Sequence, residues 1–177
     1  MKKILLGFLL GICAPFVAGY FFVALGGMPV ATKGTPLPLE TYLAKKAKHA
    51  AYDPEAGKPS PLPADESNLL AGARLYQTQC AVCHGVFDQP GSAIAKGMFP
   101  KPPQLLPPNK GVTSDPIGVI YWKIKNGIRL TGMPGFEGSL SDSELWQVSL
   151  LLSHANALPP SALQVLHAGK ASGGGTL

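Results

Sequence analysis

The chain has 177 residues, 46% of them hydrophobic, and 15 Lys and Arg against 10 Asp and Glu give a net charge of +5. That length admits one ordinary domain plus extras. Lys2 and Lys3 supply two of the positive charges, so the remainder carries +3, and no aromatic–basic patch accompanies it. The composition therefore excludes a nucleic-acid partner as the reading of the charge.

Residues 4–25 are 22 residues without a charge. As a helix they span about 33 Å, enough for a hydrocarbon core of about 30 Å. After Met1-Lys2-Lys3 this stretch reads as an export signal. It is longer than a cleaved signal needs, so residues 1–27 are expected to stay as a transmembrane anchor. Ala24-Leu25-Gly26 is the competing cleavage site, and Ile12 argues against lipidation of Cys13. Lys33, Lys45, Lys46 and Lys48 outnumber Lys2 and Lys3, which by itself would place the C-terminal side inside.

Residues 28–64 read as a spacer punctuated by Pro36, Pro38, Pro54, Pro59, Pro61 and Pro63, with a short helix over 39–46. A folded domain is expected over 65–168. Leu69, Ala73, Tyr76 and Cys80 form a helical stripe that Asp65 or Ser67 caps. Residues 85–113, rich in Gly and Pro, read as a long loop that wraps something. Asp115-Pro116 opens a helix carrying Ile117, Ile120, Tyr121 and Ile124, which Asn126-Gly127 ends. Ser141 and Glu144 form a capping box for a helix that stops before Pro159-Pro160. Residues 169–177 lack a packing pattern and are expected to be a disordered tail. No segment has a strand's period, so the expected fold class is all-α.

The chemistry lies in Cys80-Ala81-Val82-Cys83-His84. Two thiols separated by two residues on a helical turn reach the two vinyl groups of one porphyrin edge. The histidine directly after them then lies where its imidazole meets the iron. A redox dithiol would need a βαβ pattern, which is absent. Structural zinc would need a second ligand pair, and His49, His154 and His167 have no paired spacing. One covalent haem c is the expected cofactor.

Gly72-x-x-x-Tyr76-x-x-x-Cys80-Ala81-Val82-Cys83-His84-Gly85, Asn126-Gly127, Gly132-Met133-Pro134-Gly135-Phe136 and Glu144-Leu145-Trp146 together resemble the class I cytochromes c. The resemblance covers residues 65 to about 158. Leu151 departs from it, standing where an aromatic residue would meet Gly72 and Tyr76. It implies a class I cytochrome c-like domain around one haem, preceded by one transmembrane helix. It also implies haem attachment outside the cytoplasmic membrane, which overrules the lysine count. The expected location is a bacterial inner membrane, single-pass, with the haem domain in the periplasm or on the outer face.

A thioether suits the sixth position on iron. Met133 follows His84 by 49 residues and comes after the intervening helix, as the resemblance implies. Met98, only 14 residues after His84, precedes that helix, and Met1 and Met28 belong to the anchor or its edge. The iron ligands are therefore read as His84 and Met133. The resemblance implies that the Pro103 carbonyl orients His84, and Arg129 is a candidate for a propionate. With both axial positions filled, no small-molecule substrate is expected. The chain reads as a single-electron carrier between redox protein partners, not an enzyme. The alternatives are a fixed cytochrome subunit of an oxidase or dehydrogenase, or a haem enzyme or sensor with a labile sixth ligand.

Overall fold

A computed structural model of the protein describes residues 1–107 and 111–172, residue 88 excepted, with side chains through 168. Its first helix, α1, covers Lys2–Ala24. It is long and apolar enough to cross a membrane, and all of its residues are exposed. The second, α2, covers Glu40–Tyr52, longer than the short helix the sequence suggested. The chain divides within α2 into two compact units, Met1–Tyr42 and Leu43–Leu177.

The second unit begins well before residue 65, so it takes in part of the expected spacer. Tyr52 is buried, its ring 6.1 Å from Trp122 and beneath the Lys123 ammonium at 4.6 Å. Lys123 is held there by Asp115 at 2.9 Å. A turn at Asp53–Glu55 follows, and Lys58 lies over the Tyr121 ring at 4.8 Å. The backbone comes so close to the helix Ile117–Asn126 (α6 below) that a Cβ on Gly118 would strike the Glu55 carbonyl. Prolines prevent regular structure here, but aromatic and cation–π contacts still dock the segment. Gly118→Ala is expected to cost roughly 1–3 kcal/mol, an overpacking penalty. Thermal unfolding and protease cleavage across 43–62 would measure it. An unchanged melting temperature with no new cleavage would overturn this account.

Next comes α3, Glu66–Leu75, whose N-cap Asp65 accepts from the Asn68 amide at 2.9 Å. A wide π-type turn over Tyr76–Cys80 leads into the single turn α4, Ala81–His84. Another single turn, α5, Ala93–Lys96, lies within the long loop. Then come α6, Ile117–Asn126, and α7, Asp142–Ser153. The Ser141–Glu144 capping box forms as expected. Among the described residues there is no strand, only one isolated bridge between Val86 and Gln89.

The core lies where α7 meets α3 and α6. Tyr76, Leu145, Val148 and Leu151 are fully buried there. The α3–α7 crossing turns on Gly72, where an added Cβ would hit the Gln147 carbonyl and come within 3.1 Å of Leu151 Cβ. Gln147 Nε2 also donates to Asn68 Oδ1 at 3.1 Å across the same crossing. With Leu151 in place of an aromatic residue the pair still packs, because the missing side chain on Gly72 lets the backbones approach.

A last helix, α8, Pro160–Ser172, packs on α3 with Ala162 and Leu166 fully buried. Proline at its first position suits a helix start. Ser161 Oγ donates to Glu66 Oε1 at 2.6 Å. The expected tail at 169–177 overlaps the end of this helix and otherwise lies outside the described residues.

Candidate haem site

The Leu69–Ala73–Tyr76 stripe of α3 is buried, and Cys80 continues it, half-buried, at the end of the π-type turn. That turn delivers Cys80, Cys83 and His84 as one local segment. Tyr76 anchors it: the hydroxyl donates to the Gly85 carbonyl at 2.8 Å, fully buried. Burial pushes the phenol pKa well up, so it stays a donor. Gly85 has φ 69°, a left-handed conformation that favours glycine, and a Cβ there would meet the Gln89 carbonyl.

His84 is half-buried, and its Nδ1 lies 2.7 Å from the Pro103 carbonyl. A carbonyl only accepts, so Nδ1 carries the proton and donates. Burial lowers the imidazole pKa, with the Pro103 bond opposing the shift. The ring is thus held neutral, with Nε2 a free lone pair for iron. The Pro103 loop is itself tied back: Gln104 Nε2 donates to the Phe87 and Gln89 carbonyls, each at 2.7 Å. Phe87 stacks on His167 of α8, with ring centres 4.6 Å apart.

Both thiols are free. Burial, with a smaller contribution from Cys83, pushes the Cys80 thiol up to about 12. A redox dithiol needs the opposite, a thiolate at neutral pH. Among the described residues no three His, Cys, Asp or Glu side chains converge as metal ligands, so a zinc site has no donor set. Adjacent thiols, an oriented histidine and apolar surroundings fit a covalently attached haem.

Met133 is half-buried in the loop after α6. Gly127, with φ 67°, turns the chain, and a Cβ on it would press on Gly135 and Pro134. The loop is closed by Ile128 N to Met133 O at 3.1 Å and Phe136 N to Ile124 O at 3.0 Å. Thr131 Oγ1 donates to the Ile128 carbonyl at 2.6 Å and accepts from Met133 N at 3.1 Å. Leu130 adopts φ 59°, strained for a leucine. Arg129 is exposed on the same loop. The sequence reading did not single out Gln104 for its carbonyl bridge or Tyr76 for its bond to Gly85. Only the stripe position of Tyr76 hinted at a role.

An all-helical domain with Cys80, Cys83 and His84 on one turn, and a methionine loop after α6, is a cytochrome c domain. Residues 67–150 match the family described as cytochrome c oxidase, cbb3-type, subunit III. A quinohaemoprotein alcohol dehydrogenase of Pseudomonas putida (ADH-IIG) is 27% identical over 103 residues. The match covers 58% of this chain but only 13% of that relative. No solved structure gives a significant match. The domain is accordingly a haem-binding, electron-carrying one whose class implies redox protein partners.

Proposed function

We propose that this chain is a membrane-anchored single-electron carrier with one haem c bound covalently through Cys80 and Cys83 and ligated by His84 and Met133. The observation that carries it is the His84 Nδ1 to Pro103 bond at 2.7 Å, immediately after the cysteine pair. Haem c, when bound, supplies a one-electron iron couple. The chain's part is to hold, orient and shield it. His84 would be held as a neutral ligand, and Met133 is presented by a loop tied at both ends. Arg129, exposed on the same loop, is available to a propionate carboxylate. His84 and Met133 would together hold the iron, which supports carriage over catalysis.

The exposed, uncharged stretch within α1 supports single-pass anchoring, and we infer a bacterial inner membrane with the haem domain on the periplasmic or outer face because the cytochrome c class is typically extracytoplasmic. Anchoring confines the domain to its partners' neighbourhood and raises their effective concentration. A second reading is favoured by the family description, which names a subunit of an oxidase: the chain is a fixed cytochrome subunit of such a complex. Purification in mild detergent separates the two, since a fixed subunit copurifies with stoichiometric companions.

The ligand assignment is tested by Met133→Ala. The oxidised and reduced spectra of the holoprotein are expected to change from low-spin to high-spin, and the potential to fall with loss of the thioether. Unchanged low-spin spectra would overturn Met133 as the ligand.

A further inference from the structure

The Met133 loop has a support that its own hydrogen bonds do not provide. Thr131 and Ile128 hold Met133 from within the loop. The neighbouring Gly132, though exposed, is touched by Met98, fourteen residues after His84. The three nearest heavy atoms to a Cβ placed on Gly132 all belong to Met98: Cε in direct overlap, Sδ at 3.2 Å and Cγ at 3.6 Å. Gly132 has no positive φ, so an alanine there meets no backbone strain but requires the flexible end of Met98 to move away. Met98 is half-buried although Phe99 and Ile94 beside it are exposed.

The segment bearing Met98 is itself joined to the haem-attachment turn. Ser92 N donates to the Val82 carbonyl at 3.0 Å, and Gly91 lies against the Cys83 carbonyl. One turn of helix, α5, leads from there to Met98, whose amide donates to Ala95 O at 3.3 Å. Met98 therefore bridges the side that attaches haem and the loop that presents Met133. A thioether chain, flexible and apolar, is suited to fill such a gap.

We propose that Met98 is a positioning residue: it packs on Gly132 and keeps the Met133 loop closed, acting on the iron only through Met133. The proposal rests on the assignment of Met133 as ligand. Removing the strut raises the population of the open loop, and an added ligand binds in proportion to that population.

The test is a titration of the oxidised, full-length holoprotein with imidazole, followed by its optical spectrum. Met98→Ala is expected to raise the apparent imidazole affinity about tenfold, and Met98→Leu to stay within about twofold of the parent, each factor reading the open fraction. Gly132→Ala displaces the Met98 methyl group and is expected to behave like Met98→Ala. Combining the two is expected to add nothing further, because the new Cβ occupies the emptied space. Leu158→Ala, at a half-buried position packed against the core and outside the Met133 loop, is the control for general destabilisation and is expected to leave the affinity unchanged. An unchanged affinity in Met98→Ala, full additivity in the double variant, or an equal rise in Leu158→Ala would each overturn the proposal. If Met133→Ala itself leaves low-spin spectra, the ligand assignment has failed; if it turns high-spin while Met98→Ala has no effect, only the strut has.

Discussion

Serine at both Cys80 and Cys83 is expected to abolish the haem-stained band of this protein on a denaturing gel. Either single replacement is expected to weaken it. The reason is local and covalent. Cys80 ends the π-type turn and Cys83 follows within α4, so under the proposed attachment each sulfur would supply one thioether, a bond that survives denaturation. Ligation by His84, on the same proposal, would not survive unfolding, since the ring's position depends on Pro103, which is nineteen residues away. The yield of folded holoprotein should fall with the staining. A tightly held cofactor stabilises only the folded state, and a small domain with a modest core depends on that contribution. A band of undiminished intensity in the double variant would sink covalent attachment at these cysteines.

Gly72→Val should be the most damaging substitution outside the haem motif. Its side chain would enter the space occupied by the Gln147 carbonyl and press on Leu151, which is fully buried. Neither neighbour has an easy escape, because one is helix backbone and the other is walled in by the core. Overpacking of this kind costs about 3 kcal/mol or more. For a domain of this size that corresponds to a fall of roughly 15 °C in melting temperature. Separation of α3 from α7 would also break the Gln147–Asn68 bond and loosen the turn that carries Cys80. Calorimetry of the holoprotein measures the loss. A melting temperature within a degree or two of the parent would show that the helices do not meet at Gly72.

Much of the helical framework was legible because its signals are local. The Leu69–Ala73–Tyr76 stripe, the Asp65 cap and the Ser141–Glu144 box are set by neighbours three or four residues apart. The same holds for the 22 uncharged residues at 4–25. Other features were not legible for the converse reason. Residues 160–168 show no periodicity strong enough to announce α8. They become a helix with buried Ala162 and Leu166 because α3 offers a second apolar face. The proline-rich stretch before residue 65 looks like free chain until Tyr52 and Lys58 find Trp122 and Tyr121.

The sequence by itself determined the kind of chemistry, since two cysteines and a histidine within five residues, with no βαβ pattern and no second ligand pair, suit haem attachment. It also determined that one stretch is apolar enough to span a membrane. Only the tertiary structure decided what packs on the methionine loop and where the helices cross. Those outcomes depend on Met98 and Gln147, each brought from a distant part of the chain. Such contacts arise from which surfaces meet on folding, and no local spacing encodes them.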